Sequence, residues 1–271
     1  MGQSLTKIAY LDGNNNLNLS IIQTKNNFER IFEFLDAKKG DYKTFNFTGG
    51  RTYNLFKRFS RELDSNLITE FQANVSGVES LYLLSKHEEL PPSLIVTIGT
   101  GTSIILKKET FKHLGGSALG GGLFMGLIKL LFNMNSFQEA ISIAKKGNRY
   151  HIDLKVADIY DIEDKRVDLI FREFTASSFG KIEDDSDINS IQKEDVINAI
   201  IHIIGENIGS ISTLMAQNND IDNIIYCGGF LTGNNIVRKI LTILCRLKQK
   251  KAVFLKHSEF CGAIGALFGS P

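Results

Sequence analysis

Apolar strand-like runs in this chain lead repeatedly into glycine turns rich in hydroxyls, and a helical pattern follows. The run at residues 93–98, Ser-Leu-Ile-Val-Thr-Ile, ends in Gly99-Thr100-Gly101-Thr102-Ser103. The same succession recurs where residues 44–47 enter Thr48-Gly49-Gly50 and where residues 223–227 enter Gly228-Gly229. Strand, glycine turn and helix in alternation predict an α/β architecture, with strands covered on both faces wherever the apolar run is unbroken.

Periodicity supplies the rest of the outline. Residues 4–10 and 17–23 read as two strands joined by Gly13-Asn14-Asn15-Asn16, which is hairpin chemistry. Phe28, Ile31, Phe32 and Leu35 recur at helical spacing, and Gly40 closes that segment. Residues 67–71 read as a strand leading to a helix over 73–85, with Glu70 at the junction. A second hairpin is expected from residues 103–107 and 110–113, then a helix over 123–132, entered through Gly120-Gly121-Gly122. A long helix over 193–217 carries an isoleucine face, a strand is expected at 252–255, and a small-residue helix follows at 260–268. The diproline Pro91-Pro92 divides the chain into two expected lobes, 1–92 and 93–271.

Composition removes several function classes. A formal net charge of +1 provides no field to recruit nucleic acid or an anionic membrane, so neither is an expected partner. No run approaches eighteen uninterrupted apolar residues. The cysteines, Cys227, Cys245 and Cys261, are odd in number and lack metal-ligand spacing, which fits reduced, buried thiols in a cytoplasmic protein.

Glycine turns that follow strands let backbone N–H groups approach an anion, and a helix beginning there adds its positive end. Most such turns are only tight connections, but four with hydroxyls in one chain favour a polyphosphate ligand. They are Gly2-Gln3-Ser4, Gly49-Gly50, Gly99 to Ser103 and Gly228-Gly229. Neither a P-loop nor a dinucleotide-type glycine fingerprint follows a strand. Residues 2–7 and 99–103 resemble instead the two phosphate turns, one per lobe, of the actin-like nucleotide site.

At this point the sequence resembles the type II, eukaryotic-like, pantothenate kinases. Gly2-Gln3-Ser4-Leu5-Thr6-Lys7 matches that family's opening phosphate turn, Thr48-Gly49-Gly50 its Thr-Gly-Gly turn, and Glu70-Phe71-Gln72 the segment ahead of its helix. Gly99 to Ser103, Gly120 to Gly122, Ile152 to Val156 with Ile159-Tyr160, Ala176 to Gly180, Gly228 to Phe230 and Gly262 to Leu267 follow in the family's order. The resemblance implies a two-lobed actin-like ATPase (ribonuclease H-like) fold, with mixed sheets, helices on both faces and the first strand of lobe 1 missing. The family's aspartate before the first turn has no counterpart, since Met1 stands just before Gly2; a shortened gene reading, with Met1 internal, is the expected reason.

The implied activity is ATP-dependent phosphorylation of pantothenate, the first step of coenzyme A biosynthesis. Glu70 would be the catalytic base. Gly2, Ser4, Lys7, Thr100, Gly101, Thr102, Gly121, Gly122, Gly229 and Phe230 would bind the nucleotide; Thr102, Ser103, His113 and Ser178, with Glu70, would face pantothenate. Mg2+ would bridge the phosphates without a dedicated cage of protein ligands. His113 stands where the family has an arginine for the substrate carboxylate, and Asn148 replaces an acidic residue. A homodimer and inhibition by acetyl-CoA or CoA are further implications. The alternatives are a catalytically impaired paralogue with a regulatory role and a kinase for another hydroxylated substrate, such as an amino sugar.

Overall fold

The computed structural model describes residues 1–25, 27–161, 163–165, 171–183 and 185–269. In chain order the elements are β1 (Leu5–Leu11), β2 (Leu17–Gln23), α1 (Phe28–Asp36), β3 (Thr44–Thr48), α2 (Tyr53–Phe59), β4 (Asp64–Ile68) and α3 (Glu70–Lys86). Then come β5 (Ser93–Ile98), β6 (Thr102–Lys107), β7 (Phe111–Ser117), α4 (Gly121–Phe132), α5 (Phe137–Ala144), β8 (Leu154–Lys155), α6 (Val156–Ile159) and β9 (Thr175–Ser177). The last are α7 (Lys193–Asn218), β10 (Asn223–Cys227), α8 (Asn235–Leu247), β11 (Lys251–Phe254) and α9 (Cys261–Phe268).

A five-stranded mixed sheet in the order β11-β10-β5-β6-β7 organises the C-terminal half. Its centre, β5, is antiparallel to β6 and parallel to β10, and Leu94, Ile95, Val96 and Ile98 are all fully buried. That burial explains the unbroken apolar run: α3 and α9 cover one face, through Val75, Val78 and Ile264, while α7 covers the other through Ile197, Ile200, Ile204 and Ile208. α7 is long and apolar enough to cross a membrane by length and composition, but its isoleucine face packs into this core.

The N-terminal half has no continuous sheet among the described residues. β1 and β2 form an antiparallel ribbon, β3 and β4 a separate parallel pair. α1 and α2 pack on one side of the two pairs around Ile31, Phe47, Leu55 and Phe59. α9 contacts β1, β3 and α3, so the C-terminal helix is shared by both halves. A division at Pro92 places α3 with the first half by sequence, whereas its apolar face lies on the five-stranded sheet.

Three local readings change. Glu70 begins a helix instead of ending a strand, because the Thr69 hydroxyl accepts the Gln72 N–H at 3.3 Å and starts α3 three residues early. β7 continues past His113 through Gly115 and Gly116 to Ser117; a Cβ on Gly116 would lie 2.2 Å from the Thr102 carbonyl oxygen, so glycine here serves close strand approach, not a turn. α2 is present between Thr52 and Ser60, held by Leu55 and Phe59 at i,i+4 spacing.

Candidate active site

The two predicted phosphate turns meet. Ser4 Oγ lies 3.2 Å from Thr100 Oγ1, joining residues 96 positions apart. Both residues are exposed, so the hydroxyls face solvent at the junction of the halves. The second turn is tight: Gly99 N–H donates to the Gly101 carbonyl at 2.8 Å, which turns Thr100 outward.

Gly121 and Gly122 have a different job from the one expected. Their N–H groups donate to the carbonyls of Gly99 and Thr100, each at 2.8 Å, so the start of α4 braces the second turn and has little left for a nucleotide. Any Cβ on Gly122 would sit 2.6 Å from Thr100 Cγ2, which is the reason for the glycine. Two further residues have their side chains engaged within the protein. The Phe230 ring is buried and packs edge-on against Phe124 at 5.6 Å, so its side chain belongs to the core. Thr102 is buried, and its hydroxyl donates to the Leu119 carbonyl at 2.8 Å. Ser103 Oγ is buried without a hydrogen-bond partner on β6, also away from the turn's exposed face.

Lys7 links β1 to the other half. Its Nζ donates to the Glu259 carbonyl and lies 3.5 Å from where a Cβ on Gly229 would be, placing the ammonium at the Gly228-Gly229 turn. Burial lowers its pKa, opposed by Cys261, Glu259 and Cys227. Behind it, the Cys261 thiol donates to Asn74 Oδ1 at 3.3 Å; its proximity to Cys227 lowers the Cys227 pKa, while Cys227 and burial raise that of Cys261. All three cysteines are free and buried. Gly228, at φ 107°, passes so close to the end of β5 that a Cβ would be 2.3 Å from the Ile98 carbonyl oxygen.

Glu70 is exposed in the first turn of α3, on the Met1 side of the junction. Burial lowers the Met1 amine to about 6, and the Glu70 carboxylate nearby works in the opposite direction. The next residue, Phe71, stacks on His113 with ring centroids 4.1 Å apart and planes at 15°. This stack sets the imidazole beside the Glu70 helix start, a contact no sequence spacing could disclose. Ser178 is exposed in a turn anchored by Asp153, whose Oδ1 accepts the Phe179 N–H at 2.9 Å. Nearby, buried Arg149 pairs with Glu206 at 2.6 Å. Burial pushes Glu206 up while Arg149 holds it down. Among the described residues no cluster of three or more His, Cys, Asp or Glu side chains could hold a metal ion.

The Fumble family matches residues 1–269. A type II pantothenate kinase of Bacillus anthracis is 34% identical over 270 residues, covering 98% of this chain and 94% of that protein. Another, of Oceanobacillus iheyensis, is 35% identical over 276 residues, covering 99% and 97%. The chain belongs to the type II pantothenate kinase family. Among solved structures, this family member is similar to a ROK hexokinase from Thermus thermophilus, with TM-score 0.54 and 10% identity over 97% of this chain and 96% of that one. It is also similar to a glucokinase from Balamuthia mandrillaris in complex with glucose, with TM-score 0.50 and 12% identity over 99% and 91%. At such identities the likeness concerns fold alone: α/β, of the two-lobed actin-like ATPase class.

Proposed function

We propose that this chain transfers the γ-phosphoryl group of ATP to the primary hydroxyl of pantothenate. Family membership supplies the reaction, and the observation that carries it to this chain is the meeting of Ser4 with Thr100, which brings the residue 2–7 turn against the residue 99–101 turn. Phosphoryl transfer asks mainly for positioning and charge stabilisation of the phosphates. Ser4, Thr100 and the peptide groups of Gly2 and Gly101 would hold phosphate oxygens, and the Lys7 ammonium at Gly229 would offset their charge. Burial lowers the Lys7 pKa, and the anionic end of a nucleotide would oppose that shift and favour the ammonium.

Glu70 is the base in this reading. An exposed carboxylate in the first helical turn can accept the hydroxyl proton as the oxygen attacks in line. His113, held against Phe71, would meet the substrate's carboxylate from the same side. Mg2+ bound to phosphate oxygens would supply further charge neutralisation; the described side chains form no cage, so phosphates and at most one or two carboxylates would hold it. A homodimer and feedback inhibition by CoA or acetyl-CoA belong to this reading as well.

ADP release coupled to a spectrophotometric reaction tests it, with pantothenate, pantetheine and N-acetylglucosamine as acceptors. Pantothenate should be the acceptor turned over, and Glu70→Gln should lower kcat roughly a hundredfold or more while ATP binding persists. Undiminished turnover in that variant would remove Glu70 from the chemistry; turnover of the sugar alone would overturn the substrate.

A further inference from the structure

Two of the buried thiols form a pair that phosphoryl transfer leaves unused. Cys227 ends β10 and Cys261 begins α9, and their side chains lie next to one another in the core cluster behind Lys7. The segments that carry them are tied together, since Gly228 N–H, one residue after Cys227, donates to the Ser258 carbonyl at 3.3 Å. Lys7 sits between the same two segments, bound to the Glu259 carbonyl and close to Gly229.

The surroundings of the pair are polar for a protein interior. Thr97, the β5 neighbour of Cys227 in the sheet, brings its hydroxyl to 3.3 Å from the Cys227 sulfur. Asn74 Oδ1 accepts the Cys261 thiol, and the other end of that carboxamide, Nδ2, is buried without a partner. An ammonium, a hydroxyl and a spare amide donor therefore stand around two sulfurs. Cys245 offers the contrast: its sulfur lies 3.4 Å from the Tyr226 hydroxyl within the apolar core, and burial pushes its thiol up. Buried thiols in apolar surroundings are inert, whereas a nearby cation and hydrogen-bond donors favour the reactive thiolate. Cys227 is of the second kind, because Cys261 first, then Thr97 and Lys7, hold it below the usual thiol range against the effect of burial. Cys261 is pushed the other way, so one sulfur is suited to attack while the other keeps its proton. Lys7 and Thr97 are only partly buried, which puts the sulfurs one side chain below the surface of the junction.

We infer that Cys227 and Cys261 are a peroxide-sensitive modification site that closes to a reversible disulfide, with Cys227 reacting first. Displacement of the flexible Lys7 chain admits hydrogen peroxide, a molecule little larger than water. The Cys227 thiolate attacks one peroxide oxygen and the O–O bond breaks, leaving the sulfenic acid and a hydroxide that takes back the proton Cys227 had released. The Cys261 sulfur then attacks the Cys227 sulfur, the S–O bond breaks, and the departing hydroxide takes the Cys261 proton as a second water. Two thiols lose two electrons to one peroxide, and a reducing dithiol reverses the bond by exchange. The link joins the end of β10 to the start of α9, so it sets the spacing of the two segments that hold the Lys7 ammonium.

Treatment of the full chain with sub-millimolar hydrogen peroxide tests this, followed by catalase, unfolding in N-ethylmaleimide, intact mass and peptide mapping. A covalent readout makes the test independent of whether the chain is a kinase. The expected product is lighter by two hydrogens, takes one maleimide where the untreated chain takes three, and yields a Cys227–Cys261 linked peptide that dithiothreitol releases. Cys245→Ser should form the same link at an unchanged rate. Dimedone, which traps sulfenic acid, should label Cys227 in Cys261→Ser at least about fivefold more than it labels Cys261 in Cys227→Ser. If either of those variants fails to fold, mapping of the wild-type chain decides. Uptake of three maleimides after peroxide, links that include Cys245, a sulfinic acid in place of the link, or dimedone labelling that favours Cys261 overturns the proposal.

Discussion

Gly265→Ala is expected to destabilise the protein, whereas Gly126→Ala, an identical change in another helix, is expected to stabilise it. Intrinsic propensity favours alanine at both positions by roughly 1 kcal/mol. At Gly126, exposed in α4, a Cβ meets nothing within 4 Å, so about 0.5–1 kcal/mol of that gain should be realised. At Gly265 a Cβ would lie 1.7 Å from the Ala73 carbonyl oxygen and 2.6 Å from the Gly77 nitrogen. Both obstacles are backbone of α3, and no rotamer change can move them. The reverse contact is as close, since a Cβ on Gly77 would lie 1.8 Å from the Cys261 carbonyl oxygen. Ordinary contact begins near 3.4 Å, so α3 and α9 would have to part by well over an ångström along a face that buries Ala73, Val78 and Ile264. Overpacking of this kind costs typically about 1–3 kcal/mol net, or roughly 2–5 °C in Tm for a chain of this size. Differential scanning fluorimetry and urea midpoints measure it. Because α3 carries Glu70 and α9 begins beside the Lys7 contact at Glu259, kcat should fall in Gly265→Ala and hold in Gly126→Ala. Equal melting temperatures for the two variants would refute the close helix crossing.

Other outcomes follow from single contacts. His113→Arg keeps a planar group over Phe71 and adds a two-pronged donor, so KM for pantothenate should fall about three- to tenfold with kcat little changed; an unmoved KM takes residue 113 out of the substrate site. Burial, then the Arg149 charge, lowers His202 from 6.5 to about 4. The unfolded chain therefore takes up that proton first, and stability falls as pH drops from about 6.5 toward 4, by up to roughly 2 kcal/mol at pH 5. Glu206 and Asp153, both raised by burial, act in the opposite sense, so the comparison of wild type with His202→Gln isolates the histidine. The fall in urea midpoint from pH 7 to pH 5 should be smaller in the variant, or reversed; parallel pH slopes would refute the assignment.

The sequence by itself determined which segments are strands buried on both faces, because an unbroken run such as Leu94 to Ile98 fits few other places, and it located the glycine turns by their position after strands. Family membership was legible too, in ordered motifs from Gly2 to Leu267. Tertiary structure decided what each glycine is for. Gly121 and Gly122 brace the Gly99 turn, Gly116 admits the Thr102 backbone, and Gly265 lets α9 touch α3; all are through-space demands made by chain tens to hundreds of residues away. It also decided side-chain access: the Thr102 hydroxyl and the Phe230 ring carry plausible chemistry in sequence but are consumed by Leu119 and Phe124. The Phe71–His113 stack and the Ser4–Thr100 contact arise for the same reason. Local pattern fixes what a segment is, while the partner it meets depends on how the two halves and their shared helix close on one another.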